Sequence, residues 1–158
     1  MCENISVDLD TLFPVIKEKL SSGGDVTFGP KGVSMLPLIR QGVDSVKISP
    51  VDGKLKKYDV PLYRRKNGQF VLHRVVDVNN DSYTMCGDNQ CIREKGITHD
   101  MIIGIMTEII KPEGIIKTTD KNYINYCKKQ VRKQHFNFFV LKFKVFVKKI
   151  LKKLKLIK

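Results

Sequence analysis

The stretch PLYRRKNGQFVLHRVVDV, residues 61–78, decides how the chain is expected to fold. It places an Asn-Gly pair between two apolar runs, and Asn-Gly is the strongest short-range signal for a β-hairpin. PLYRR and FVLHRVV are therefore expected to pair as antiparallel strands. NNDS, residues 79–82, is the next predicted turn. The further short apolar runs VTF, SVKI, SYTMC and MIIGIMTEII are separated by Gly, Pro, Asn and Asp, which indicates a mainly antiparallel β structure.

A helix is predicted before the strands, over residues 8–20 (DLDTLFPVIKEKL). This segment has an Asp start, a Ser-Ser-Gly-Gly stop and apolar residues at helical spacing, namely Leu9, Leu12, Phe13, Ile16 and Leu20. The chain is therefore expected to be mainly β, in the α+β class, with this short N-terminal helix and a long C-terminal one. The predicted segments are an N-terminal helical segment (1–23), a β domain (24–118) and a basic amphipathic helix (119–158).

The charge of the chain is concentrated in its last segment. The 158 residues carry a formal net charge of +13. Residues 1–120 contain 16 basic and 16 acidic residues, while residues 121–158 contain the other 13 basic residues and no acidic one. The net charge is therefore a property of the C-terminal segment and not of the globular part. The four Cys are too few for a dense disulfide framework, so reduced thiols are expected.

A lone serine, Ser34, lies in the segment KGVSMLPLIRQG, residues 31–42. A serine hydroxyl holds its proton too tightly to be a good nucleophile at neutral pH, so it needs an adjacent base. His73 is the candidate base, because it lies in the apolar strand pattern FVLHRVVDV, where a buried imidazole needs a partner. The other two histidines, His99 and His135, are predicted in a loop and in the C-terminal segment.

Carboxylates follow in MCGDNQCIRE, residues 85–94, which contains Asp88 and Glu94. A carboxylate is what a base histidine requires to fix its tautomer and to stabilise the imidazolium. Each fragment taken alone also has a structural explanation, as a helix cap, a satisfied core histidine or a β-turn. A zinc site that combines Cys86 and Cys91 with a histidine is a further alternative, but the spacing matches no standard ligand pattern.

GVSMLP, VLHRVV, GDNQ and IIGIM occur in this order over about residues 24–110. Together they resemble the signal peptidase I superfamily of serine peptidases, which also contains the LexA-type self-cleaving repressors. The resemblance implies a coiled β-sheet peptidase fold. Because the second motif contains a histidine, the chain resembles the branch that uses His as the base. This branch includes archaeal, endoplasmic-reticulum and sporulation-type signal peptidases.

The resemblance implies catalytic roles for particular residues. Ser34 is then the nucleophile and His73 the general base, while the orienting acid is either Asp88 or Glu94, with Asp88 preferred. Backbone N–H groups near Ser34 are the expected oxyanion donors, since Gly32 stands where many signal peptidases have a hydroxyl. No metal and no cofactor are implied.

The C-terminal segment is predicted to be an amphipathic cationic helix. Its apolar residues recur at helical spacing within an arc of roughly 140°, with lysines opposite. The apolar positions are Phe136, Phe139, Val140, Phe143, Phe146, Val147, Ile150, Leu151, Leu154 and Ile157. Such a helix suits an anionic membrane surface, and residues 136–158 are the predicted contact. Packing on the domain is the alternative, and nucleic acid is disfavoured because phosphate contacts gain nothing from buried Phe.

The expected function is that of a serine endopeptidase that cleaves leader, signal or precursor peptides through an acyl-enzyme at a membrane surface. The N-terminus MCENISVDLD lacks the features of a secretory signal, and no stretch reaches about 18 uninterrupted apolar residues. Peripheral association with the cytoplasmic face of the membrane is therefore expected. The alternatives are a catalytically inactive membrane- or peptide-binding module of the same fold and a self-cleaving regulator of LexA type.

Overall fold

A computed structural model describes the backbone of residues 9–153, and the side chains of residues 11–148 and of Ile150. Over this part of the chain there are two α-helices and nine strands. The helices are α1 (Leu9–Ser21) and α2 (Lys121–Lys153). The strands are β1 (Val26–Phe28), β2 (Ser45–Ser49), β3 (Pro61–Arg64), β4 (Phe70–Leu72), β5 (Arg74–Val78), β6 (Tyr83–Cys86), β7 (Glu94–Ile97), β8 (Ile102–Lys111) and β9 (Gly114–Lys117).

The strands form two antiparallel sheets. The larger sheet has the order β1-β2-β8-β3-β4, with β9 also paired to β8, and the smaller one has the order β5-β6-β7. The predicted hairpin is confirmed, because β3 and β4 pair with Leu62 opposite Leu72. The predicted turn at residues 79–82 is confirmed by the hydrogen bond from the Asn79 amide to the Ser82 carbonyl, 2.8 Å. The α+β, mainly β class is therefore confirmed.

The prediction of one continuous strand through FVLHRVVDV is wrong. The chain leaves the larger sheet after Leu72 and enters the smaller one at Arg74, which pairs with Cys86. His73 is the residue between the two strands. Most of β4 and the first half of β5 are buried, and no Gly, Pro, Asn or Asp marks the point where the chain changes partner. This change of sheet places His73 at a corner of the fold.

The main core lies between the larger sheet and the two helices. Helix α1 contributes Ile16 and Leu20, and α2 contributes Tyr123 and Cys127. Helix α2 begins at Lys121, well before the predicted apolar stripe, which starts at Phe136. Its first turns pack on the domain. The part of that prediction which concerns residues 154–158 lies outside the described residues.

Candidate active site

Ser34 opens a turn that follows β1. Gly32 precedes it with a φ of 101°, a left-handed conformation that favours glycine, and its amide donates to Gln41 Oε1 at 2.7 Å. The turn continues with a hydrogen bond from the Ile39 amide to the Met35 carbonyl, 3.0 Å. Met35 is buried and Ser34 is half-buried, so Met35 anchors the turn in the core. No hydrogen bond to Ser34 Oγ is present among the described residues.

The GDN motif packs directly on the Ser34 turn. The Asn89 amide donates to the Ser34 carbonyl at 2.7 Å, and Asn89 Nδ2 donates to the Val33 carbonyl at 3.3 Å. A Cβ on Gly87 would lie 2.7 Å from the Ser34 carbonyl oxygen and 3.0 Å from Ser34 Cβ. Only glycine permits so close an approach. Residues 87–89 therefore form a loop that holds the backbone of Ser34 in place.

Ser34 and His73 line the same cleft, which has a volume of about 320 Å³. Residues 69–72, from the end of the hairpin turn and from β4, form one wall, and Gln90 also borders it. His73 is 5% exposed. The structure therefore brings together the two residues that the sequence singled out as nucleophile and base.

The ring of His73 is backed by Tyr63, a residue that the sequence analysis missed. The Tyr63 hydroxyl lies 3.4 Å from His73 Nδ1, a long contact, and donates to Glu94 Oε2 at 2.7 Å. Because the hydroxyl proton goes to Glu94, the Tyr63 oxygen is left to accept the Nδ1 proton. This arrangement favours the tautomer whose Nε2 carries the free lone pair.

The hairpin register could have revealed Tyr63. Tyr63 lies opposite Val71 on β4, and His73 is two residues further along the same chain. Residues at i and i+2 of an extended chain share a face, and diagonal neighbours on adjacent strands are within reach of aromatic side chains. The turn closes over three residues, 66–68, with the Arg65 amide bonded to the Gln69 carbonyl at 2.9 Å. This register, and not the Asn-Gly pair alone, places Tyr63 beside His73.

Glu94 is held by Arg65 as well as by Tyr63. Arg65 Nε donates to Glu94 Oε1 at 2.7 Å and Arg65 Nη2 to Oε2 at 2.6 Å, a bidentate pair. Burial disfavours the charged carboxylate, but the hydrogen bonds from Arg65 and Tyr63 outweigh it and lower the pKa of Glu94. Glu94 therefore reaches His73 through the Tyr63 hydroxyl and makes no direct hydrogen bond with the ring among the described contacts.

Asp88 is occupied elsewhere. Its carboxylate accepts from Arg74 Nε at 2.8 Å and from Arg74 Nη2 at 2.7 Å, and both side chains are fully buried. Tyr126 donates to the same carboxylate at 3.0 Å. No hydrogen bond joins Asp88 to His73 among the described residues. Of the two carboxylates, Glu94 is the one linked to the imidazole, and the link is the Tyr63 hydroxyl.

The electrostatic surroundings of His73 keep it neutral. Burial, followed by the positive charge of Arg65, lowers the pKa of His73 from 6.5 to about 4, and the negative charges of Glu94 and Asp88 oppose this shift. A neutral imidazole at physiological pH can accept a proton from a nearby hydroxyl.

The cysteines provide no metal cluster in the described part of the chain, where no group of three His, Cys, Asp or Glu residues has a suitable arrangement. Cys86 is a free, buried thiol, and burial raises its pKa to about 11. Cys91 is free and exposed.

Helix α2 carries large apolar side chains in solvent. Phe136, Phe139, Phe143 and Phe146 are 59 to 68% exposed. We call the set formed by Phe136, Phe139, Val140, Phe143, Phe146, Val147 and Ile150 the outward stripe. At 100° per residue it lies on the side of the helix opposite Gln134 and Cys127, which face the domain. Within residues 9–153, neither helix combines the length and the apolar character that a bilayer crossing requires.

Comparison of the chain with known protein families, with curated proteins and with solved structures finds no match.

Proposed function

We propose that the chain is a serine endopeptidase of the signal peptidase I type that cleaves leader, signal or precursor peptides. The observation that carries the proposal is that Ser34 and His73, distant in sequence, line one cleft. The imidazole is held by the pair Tyr63 and Glu94, and its neutral form is favoured. A nucleophile, a base and a group that orients the base are the parts that acyl transfer by a serine requires.

The chemistry follows from these positions. Ser34 Oγ attacks the peptide carbonyl while His73 Nε2 takes its proton, and His73 then gives that proton to the departing amine. Water, deprotonated by His73, hydrolyses the resulting ester and frees Ser34. The Ser34 and Met35 amides donate to no described acceptor, so both are candidates to bind the oxyanion.

The cleft suits an extended peptide. Strand β4 pairs only with β3 among the described strands, so its second edge is open beside Ser34 and His73. An extended substrate can add to such an edge through main-chain hydrogen bonds, with side chains filling alternate pockets. This favours a peptide over a compact substrate.

The outward stripe supports action at a membrane surface. Packing on the domain does not explain these side chains, because they point away from it. Residues 121–158 contain 13 basic residues and no acidic one, which matches an anionic lipid surface in charge. We propose peripheral attachment through this stripe.

The decisive experiment compares purified full chains on a panel of fluorogenic leader peptides. We expect the wild type to cleave at least one peptide, and Ser34→Ala and His73→Ala to lose about a thousandfold or more in kcat. Ser22→Ala and His99→Ala change exposed residues of the same two types and are expected to retain activity. Equal cleavage by all five proteins would point to a contaminating peptidase and would refute the proposed enzyme function.

The same experiment separates the alternatives. Peptide binding without cleavage by the wild type would indicate an inactive peptide-binding module. Fragments of the chain itself that appear in the wild type and not in Ser34→Ala would indicate a self-cleaving regulator.

A further inference from the structure

Helix α2 binds the carbonyl groups of the 87–89 loop through two glutamines. Gln130 Nε2 donates to the Asp88 carbonyl, and Gln134 Nε2 donates to the Gly87 carbonyl at 2.7 Å. Both glutamines are buried, which is uncommon for this residue type. They are four residues apart, so they lie on one face of the helix. Two adjacent carbonyls of the loop are therefore fixed by one helix.

Other contacts join α2 to the same region. Tyr126 donates to the Asp88 carboxylate at 3.0 Å, and the Arg74 guanidinium, which pairs with Asp88, lies 2.8 Å from Cys127 Sγ. Phe138 packs over the guanidinium of Arg93 at 4.4 Å. Arg93 is the residue before Glu94, so α2 touches both the loop that supports Ser34 and the segment that supplies Glu94.

The loop transmits this support to Ser34. The Asn89 amide donates to the Ser34 carbonyl, and Gly87 is in close contact with Ser34. A displacement of residues 87–89 would therefore move the nucleophile, and misplacement of a reacting group by about 1 Å can cost about a hundredfold in rate.

The far end of the same helix bears the outward stripe. The stripe begins at Phe136, only two residues after Gln134. Helix formation is cooperative, so order or fraying in one turn propagates to the next. In water the stripe gains nothing from being helical, whereas an amphipathic helix is stabilised when its apolar face is buried in a lipid surface.

We propose that α2 couples attachment to an anionic lipid surface to the position of Ser34, with Gln130 and Gln134 as positioning residues. Lipid bound at the outward stripe suppresses fraying of the helix up to Gln134, and the two glutamines then hold the 87–89 loop. The coupling is reciprocal, as any linkage between two sites must be. This regulation rests on the proposed peptidase function, but its structural part is measurable without catalysis.

The partner to which the proposal commits is a lipid bilayer with anionic headgroups. The stripe is long and continuous along one helix side, and the described lysines Lys142, Lys144 and Lys148 are exposed around it. A protein with an acidic groove would match the charge as well, and the test below distinguishes it from lipid.

The test measures amide hydrogen exchange of the full chain in the fragment that spans residues 84–92, which contains the Asn89 amide. The probes are phosphatidylcholine vesicles with and without phosphatidylglycerol. We expect anionic vesicles to slow exchange in this fragment about tenfold, within the usual range of 5-fold to 150-fold for coupling between sites. In parallel, kcat for a soluble peptide is expected to rise by a similar factor while KM stays constant.

Two variants separate the lipid contact from the coupling. Gln130→Met with Gln134→Met keeps the volume and the helix propensity but removes both donors. This protein is expected to bind anionic vesicles like the wild type, without slower exchange or higher kcat. Phe139→Gln with Phe143→Gln is expected to lose vesicle binding.

Leu141→Gln with Val145→Gln is the matched control for the Phe variant, since these exposed residues lie outside the stripe. It is expected to retain both vesicle binding and coupling.

Three outcomes would overturn the proposal. The first is vesicle binding that leaves the 84–92 fragment and kcat unchanged in the wild type. The second is a response to anionic vesicles in the Met variant that equals the wild-type response, which would show that the glutamines do not link the helix to the loop. The third is no binding to anionic vesicles, which would exclude lipid as the partner. Slower exchange without peptide cleavage would instead retain the coupling and refute the peptidase function.

Discussion

In the proposed mechanism, the imidazole of His73 acts as an uncharged base. Burial and Arg65 lower its pKa to about 4, so the ring is deprotonated well below neutral pH. The contact with Tyr63 Oη directs the remaining ring proton to Nδ1 and leaves Nε2 available. The Arg65 and Glu94 pair anchors the Tyr63 hydroxyl and is neutral as a whole, so it does not strongly favour protonation of the ring.

The pH dependence of the rate follows from this pKa. The proposed mechanism requires neutral His73, so kcat/KM is expected to rise as the pH increases through about 4 and to be level by pH 6.5. In Arg65→Met the positive charge is lost, so the pKa of His73 rises and the acid limb moves to higher pH. The pH profile of peptide cleavage measures the acid limb of the wild type and of Arg65→Met. A limb near 6.5 in the wild type would contradict the buried environment of the ring.

Asp88 and Glu94 are expected to differ in what their loss affects. Asp88→Asn leaves the buried Arg74 charge without its partner, so it should cost about 3 to 5 kcal/mol of unfolding free energy. Glu94→Gln weakens a pair whose side chains are about a quarter exposed, so it should cost about 1 kcal/mol or less but lower kcat. Denaturant unfolding and kcat, measured on both variants, check this. A stable Asp88→Asn with lost activity would instead make Asp88 the orienting acid.

Single residues were predictable from the sequence where a motif marked them and not where a partner lies elsewhere in the chain. Ser34 and His73 could be chosen because a hydroxyl and an imidazole recur in a motif order that resembles a peptidase family. Tyr63 had no motif, and its position depends on strand register. The choice between Asp88 and Glu94 depends on which carboxylate Arg74 occupies, and this is a tertiary contact.

Among the elements, the 87–89 loop is packed tightly against the Ser34 turn. Gly87→Ala would place a methyl group 2.7 Å from the Ser34 carbonyl oxygen, so either the 87–89 loop or Ser34 must shift. We expect a loss of about a hundredfold in kcat with KM little changed. Gly29→Ala is the control, because its nearest neighbour would be an Asp44 oxygen at an ordinary 3.7 Å. Full activity of Gly87→Ala would show that the loop does not position Ser34.

Element prediction succeeded where the chemistry is local. The Asn-Gly turn fixed the β3 and β4 hairpin, and the paired glycines after α1 provide the left-handed Gly23 that ends this helix. The break at His73 has no local signal, because buried residues flank it on both sides. In α2 the apolar side of the helix changes between Gln134 and Phe136. Periodicity therefore predicted the outward stripe but not the polar face that holds the 87–89 loop.

For the whole molecule, the separation of charge predicts which part carries the proposed membrane attachment. A neutral globular part is joined to a helix with a large positive excess, so attraction to anionic lipid is expected to act through α2 alone. Each lysine near such a surface contributes about 1 kcal/mol. Replacing Lys142, Lys144 and Lys148 with Gln should therefore cost about 3 kcal/mol and weaken vesicle binding by roughly a hundredfold. Replacement of the exposed Lys54, Lys56 and Lys66 in the globular part is the matched control and is expected to change binding little.

Salt separates the two contributions to that binding. Raising the salt concentration shortens the Debye length from about 10 Å at 0.1 M to about 3 Å at 1 M, which removes most of the lysine contribution and leaves the apolar one. Sedimentation with vesicles over this range should show strong binding at low salt and a residual, lysine-independent binding at high salt, because the phenylalanines of the stripe still gain from burial. If binding vanished at high salt, the stripe would not enter the lipid. If the globular lysines mattered as much as those of α2, the membrane would contact another face of the domain.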